Sequence, residues 1–324
     1  MLSRLGYPDQ AVDRLLAESL AIGAGLGPER LPHRRLEQAW LARLWGAREQ
    51  PGPDDPALLA ESMLCRPMDA LGSTRLDVYA FTHALMYATD LGRRRVAVPR
   101  PLPSVAADAE AALAHSLDAD DFDLTAEVLL TWPMLGVAWS PSAAFAFRIL
   151  ADVEDSVGFL PGSRFDRARY LGLSGHEQSQ YALATSYHTA YVMGFLCAAA
   201  LGPDRAPPVE VPADESAPGA GAAVLRLVDR SGPTSCWRGP FAALTPGQQD
   251  AVAPLVLAIL LRRARKACDL GLVRDALELA VAHDLVAGPA PAQAAALLRR
   301  SRALELASRA SAERAVPHPS ERRA

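Results

Sequence analysis

Apolar residues recur every three or four positions along most of the chain, and proline or glycine closes nearly every run. That spacing is the period of an amphipathic helix; a half-buried strand alternates instead. Residues 9–26 set the pattern, with Val12, Leu15, Leu16, Ser19, Leu20 and Gly23 on one side. Only Val96-Ala-Val98 and Val224–Val228 read as candidate strands. The chain is therefore expected to be all-α, built of helical hairpins packed in layers or in a ring, with little or no strand.

Punctuation divides this pattern into elements. Pro28 and Pro32 separate the first helix from one at 33–48, and Asp54 or Asp55 is placed to cap a helix at 56–65. A long helix is expected from Ser73 to Leu91, ended by Gly92. Further helices read at 108–117, 123–132 and 141–155, and from Ser174 or Ser179 to Leu201. Residues 202–222 are rich in Pro and Gly without a period, which reads as a flexible linker or loop. A short segment at 223–230 follows, then helices near 246–269, 271–286 and 290–312, the first opened by Thr245 and Pro246. The expected organisation is a helical domain over 1–201 carrying the site, the linker, and a C-terminal helical part over 223–316 packed on the first. Residues 317–324 read as a frayed tail.

Composition narrows the function. The net charge of −4 lacks the basic excess of a non-specific nucleic-acid binder, so no nucleic-acid partner is expected. No apolar run reaches the ~18 residues of a membrane span. The start lacks the basic segment and apolar core of a signal peptide. A cytoplasmic protein that does not engage membranes is the expectation. Cys65, Cys197, Cys236 and Cys268 are scattered, with no C-x-x-C pair, which argues against a disulfide framework or a zinc ribbon. Lys266 is the only lysine and sits in a basic run, so Schiff-base chemistry is not expected.

Chemistry concentrates on two segments. In the helix at 73–91, Tyr79, His83, Tyr87 and Asp90 fall at i, i+4, i+8 and i+11, one stripe among apolar neighbours. Buried polar groups must find partners, so such a stripe is either a structural network or a site. In the second segment Tyr181, Thr185, His188 and Tyr191 share a face, with Tyr187 beside them. Two helices each offering a histidine and tyrosines are placed to meet across a pocket. Arg93-Arg94-Arg95 follows the first helix directly and suits either its C-terminal dipole or an anion. His115, with Asp118, Asp120, Asp121 and Asp123 nearby, lacks metal-ligand spacing and reads as a capping loop. Trp132, Trp139 and Trp237 read as core or interface aromatics.

At Thr82-His83-x-x-x-Tyr87-x-Thr89-Asp90-x-Gly92 and Tyr187-His188-Thr189 the chain resembles a group of all-helical actinobacterial proteins of secondary-metabolite gene clusters. It also resembles the helical enzymes that close an aziridine ring by sulfate elimination in azinomycin-type pathways. The resemblance implies an all-α biosynthetic enzyme; no catalytic residue is carried over from it. The chain has no Gly-x-Gly-x-x-Gly, no phosphate-binding Gly-Lys-Ser/Thr, no Gly-x-Ser-x-Gly and no Asp-Asp-x-x-Asp.

These features lead to the expectation of a cofactor-independent enzyme tailoring a small molecule, with ring closure and sulfate loss as one instance. His83, Asp90 and His188 are the expected catalytic groups. Tyr79, Tyr87, Tyr187, Tyr191 and Arg93 are expected to bind substrate. No metal and no other cofactor is expected. A partner subunit or a second copy of the chain is a possible complement to the site. The rival expectation is a non-catalytic helical binding or interaction subunit of a biosynthetic complex.

Overall fold

Helices begin where capping chemistry places them. Thr74 and Asp77 form a reciprocal capping box, as do Thr245 and Gln248, while Asp55 and Ser140 each accept a backbone N–H beside a proline. The computed structural model describes residues 6–22, 30–46, 51–214, 216, 218–232 and 235–315; the expected tail at 317–324 lies outside them. In order, the helices are α1 (Gln10–Ile22), α2 (Pro32–Trp45), α3 (Pro56–Glu61), α4 (Arg75–Ala88) and α5 (Leu102–Asp118). They continue with α6 (Phe122–Leu129), α7 (Thr131–Leu135), α8 (Pro141–Val157), α9 (Arg167–Leu171) and α10 (Gly175–Ala200). The last are α11 (Ala220–Val228), α12 (Arg238–Ala243), α13 (Pro246–Lys266), α14 (Leu270–Ala282) and α15 (Pro289–Ala315). The fold is all-α, and no strand occurs among the described residues.

Both strand candidates are corrected. Val224–Val228 lies inside α11, where Val224 and Val228, one turn apart, are buried on the side that meets α13. Val96–Val98 is irregular. Helix α4 also stops three residues earlier than its spacing implies. The Thr89 hydroxyl donates to the Leu85 carbonyl at 2.8 Å and accepts the Gly92 N–H at 3.1 Å. The chain then turns through three positive φ values, 50° at Asp90, 56° at Leu91 and 81° at Gly92. Glycine carries the last of these without a Cβ penalty.

Helix α13 is the axis of the C-terminal half. Its residues from Asp250 to Leu261 are buried except Pro254, and it packs on α5, α8, α11, α14 and α15. Its Asp250 carboxylate accepts the N–H groups of Gly219 (3.0 Å) and Gly221 (2.8 Å), the start of α11. Gly221 is required there, because a Cβ would stand 2.6 Å from the Gln249 backbone carbon. On the other side α6 is wedged among α4, α5, α8 and α10, and α2 covers α4. One apolar cluster runs from Leu36 to Ala294, so both halves share a single core.

The composition of 202–222 reads as a linker, yet its middle is tethered in the fold. The Arg205 carbonyl accepts the Trp139 indole N–H at 2.9 Å, and its guanidinium reaches the Gly92 carbonyl at 3.1 Å. Arg148 donates to the Val209 carbonyl, Gln248 to that of Val211 at 3.0 Å, and the Asp214 N–H to Gly247 at 2.8 Å. Val211 itself is buried. These tethers come from α8, α13, their flanks and the turn after α4, and no local pattern in 202–222 announces them.

Candidate functional site

The two histidine helices do not touch each other's histidines; α6 joins them. Asp123 and Glu127 lie one turn apart on α6, on one face. The Asp123 Oδ1 accepts the His188 Nδ1–H of α10 at 2.8 Å. One turn on, Glu127 Oε2 accepts the Thr82 hydroxyl of α4 at 2.8 Å and stands 3.5 Å from His83 Nδ1. Arg75, at the start of α4, closes the outer end with Nε 2.7 Å from Asp121 and a terminal nitrogen 3.6 Å from Asp123. Asp123 had read only as part of a capping loop, and Glu127 was missed. Its signal was a carboxylate inside the apolar run Leu124-Thr-Ala-Glu127-Val-Leu-Leu.

The expected residues divide between two environments. Tyr79, His83 and Tyr87 form a ring ladder: Tyr79 stacks on His83 at 3.6 Å and Tyr87 meets its edge at 5.7 Å. The ladder is shut in by α2. His33 lies edge-on to Tyr79, Trp40 packs on Tyr87, and the Tyr87 hydroxyl donates to Glu37 at 3.0 Å. Asp90 is not part of the stripe, because it follows the end of α4; its carboxylate accepts the Trp40 indole N–H at 2.7 Å. On α10, His188, Tyr187 and Tyr191 face outward, and the His188 side chain is 57% exposed. Arg93 is exposed, whereas Arg94 pairs with Asp54 at 2.6 Å. His115 lies against Arg262 rather than in an acidic site.

Hydrogen bonding fixes the nitrogen roles. His83 gives its Nδ1–H to the Tyr79 carbonyl at 3.0 Å, and His188 gives its own to Asp123. In its neutral form each ring therefore carries the lone pair on Nε2. Only that of His188 is on an exposed side chain. Among the described residues no group of three or more His, Cys, Asp or Glu is arranged to hold a metal ion. Clefts of about 360 and 460 Å³ border α15, and neither is lined by a residue of the α4–α6–α10 seam.

Every residue of this seam lies within 1–198, and those residues match the family model DUF6895, a domain of unknown function. The chain belongs to the DUF6895 family. No curated protein and no solved structure matches the chain. The DUF6895 region ends inside α10, two residues before its last turn closes at Ala200, so α11–α15 are outside the match.

Burial sets the charge state at the inner end of the DUF6895 seam. It pushes the His83 pKa down to about 4 and drives Glu127 up to about 8. At neutral pH the two groups are uncharged, so their 3.5 Å approach is not an ion pair; each keeps its own partner, the Tyr79 carbonyl for His83 and the Thr82 hydroxyl for Glu127. From this a pH dependence of stability follows. Between pH 6.5 and 8 the fold keeps a proton that the unfolded chain, with its carboxyl near 4.5, has released; stability falls as pH rises. Between 4.5 and 6.5 the unfolded histidine binds a proton as the folded pair holds one, so the pair contributes no slope. There burial of His115, down to about 4, and of His33 makes stability fall as pH drops, outweighing the opposite contribution of Glu110, whose carboxyl pKa is raised by burial. The melting temperature is expected to peak near pH 6.5, and Glu127→Gln to flatten the alkaline side, as calorimetry across this range will measure. An alkaline side equally steep in the variant contradicts the assignment.

Proposed function

We propose that the α4–α6–α10 seam is the acid–base centre of an enzyme that rearranges a small molecule without a cofactor. One observation carries this reading: the 2.8 Å His188–Asp123 contact, which orients an exposed imidazole with Nε2 free. A carboxylate on Nδ1 holds the ring in the tautomer needed for a general base and offsets the charge it gains. Asp123 has that role and Arg75 fixes Asp123. Tyr187 and Tyr191 flank the base, and Arg75, 3.6 Å from Asp123, is the cation at this end of the seam, whereas the exposed Arg93 follows the opposite end of α4. His83, Glu127 and Tyr79 support the seam from inside. Asp90, engaged with Trp40, holds α2 to the turn after α4.

Ring closure with loss of sulfate is the finer form of the proposal. His188 Nε2 takes a proton from a substrate amine, and the nitrogen pair attacks the neighbouring carbon. The C–O bond to the sulfate ester breaks, and sulfate leaves with the bonding pair. Positioning and charge matching supply most of such an acceleration. The resemblance at Thr82–Gly92 and Tyr187–Thr189 supports it. The test offers the protein a panel of vicinal amino-alcohol sulfate esters, with released sulfate and cyclic amine followed together. Equal amounts of both are expected; no release above the enzyme-free rate from any member overturns the ring-closure form.

A second reading, a non-catalytic binding subunit of a biosynthetic complex, is favoured by the apolar outer face of α10. A dyad that can be removed without loss of turnover would favour that reading.

A further inference from the structure

From Gln178 to Leu201 helix α10 and its cap carry no Asp, Glu, Lys or Arg. A helix apolar on all sides is normally an interior helix. Here one side is buried, through Ser186, Thr189, Val192, Met193, Leu196 and Ala200. The other leaves Leu183 68%, Tyr187 53%, Tyr191 65% and Phe195 47% exposed, and Leu201 87%. Gly194 sits mid-helix on this open side. Glycine there costs roughly 0.5–1 kcal/mol relative to alanine. A Cβ at Gly194 would meet nothing within 4 Å, so no packing within the chain accounts for it.

We propose that α10 pairs antiparallel with α10 of a second copy of this chain, about a two-fold axis at Tyr191. Three observations select that occupant. The face carries no charge, so a second copy, itself net −4, meets it with no charge at the contact. The area fits: each large exposed side chain offers roughly 100 Å². The five together give about 500 Å², to which the alanines and Gly194 between them add, so most of the ~800 Å² per partner of a specific interface is already present on this one helix. The length fits too. The stripe from Leu183 to Leu201 spans about 27 Å, whereas α1, with Val12, Leu15, Leu16 and Ile22 also exposed, is only about 20 Å long. Its own α1 is too short to cover the face.

An isologous pair places each residue opposite its mirror position in the stripe. With Tyr191 on the axis, Tyr187 lies across from Phe195, and His188 across from Gly194 of the other copy. The absent side chain leaves room beside each imidazole, so the pairing walls the His188–Asp123 dyads off from bulk water. This consequence for the dyad rests on the function proposed above; the pairing does not.

Analytical ultracentrifugation of the full chain tests it without any activity assay, so its failure is distinct from failure of the enzymatic reading. A species of twice the 34.5 kDa chain mass is expected. Tyr191→Arg sets two like charges together on the axis, and Gly194→Leu fills the close approach. Each is expected to halve the mass while still unfolding in a single cooperative transition, at a temperature lowered only by the lost association. Val281→Arg, on the exposed side of α14, is expected to remain paired. Phe195→Glu replaces either α10 variant that does not fold. A monomeric wild type, or a dimer indifferent to the folded α10 variants, overturns the proposal.

Discussion

His188→Gln and Asp123→Asn are expected to lower turnover on the proposed substrates by on the order of 10²-fold or more, the scale for losing a positioned acid–base group. The two act differently. Glutamine removes the lone-pair nitrogen outright. Asparagine keeps the shape of the Asp123 side chain but can offer its amide to His188 Nδ1, which reverses the tautomer and turns Nε2 into a donor. The His188 side chain is 57% exposed, so its substitution should change stability by no more than about 0.5 kcal/mol. Asp123 also faces Arg75 at 3.6 Å, so its variant is expected to cost somewhat more. Turnover and thermal melts on the same two proteins separate the roles. Undiminished turnover in folded variants removes the dyad from the chemistry.

The largest stability effect is expected at Asp118. Its carboxylate takes Nε of Arg263 at 3.0 Å and a terminal nitrogen at 2.5 Å, the Ser235 hydroxyl at 3.1 Å and the Trp237 indole N–H at 3.3 Å. The Arg263 side chain is 10% exposed and Trp237 is fully buried. Asp118→Ala leaves the buried guanidinium with only the Ser235 hydroxyl at 3.0 Å and no counter-charge, and the Trp237 indole N–H without its acceptor, a loss of about 3–5 kcal/mol. Asp118 is inside the family match, while Arg263, Ser235 and Trp237 are beyond it. Urea unfolding is expected to show one transition, moved as a whole to lower denaturant. Arg263→Met added to Asp118→Ala is expected to recover much of the loss, since the uncompensated charge is then gone. A loss under about 1 kcal/mol would mean that water reaches the guanidinium.

Local chemistry was legible because it is local. The Thr245–Pro246 start, the Asp55 cap and the apolar period of α2, α8 and α13 depend on residues within a few positions of one another. The same reading found both histidines and their helices. It placed Asp90 on the stripe because periodicity does not register where a helix stops; the Thr89 hydroxyl ends α4. It turned Tyr187 and Tyr191 toward a pocket because apolar character does not say which face has a neighbour.

The amino-acid sequence by itself determined the all-α class, most helix starts and the two histidine-bearing helices, since capping and amphipathic spacing act over one or two turns. Tertiary structure decided that α6 sets Asp123 against His188, 65 residues away, and Glu127 against Thr82 and His83. It also decided that His83 is neutral and enclosed while His188 is exposed. Those outcomes depend on which helix covers which face. That choice is made by the summed burial of the whole core, to which no single segment holds the key.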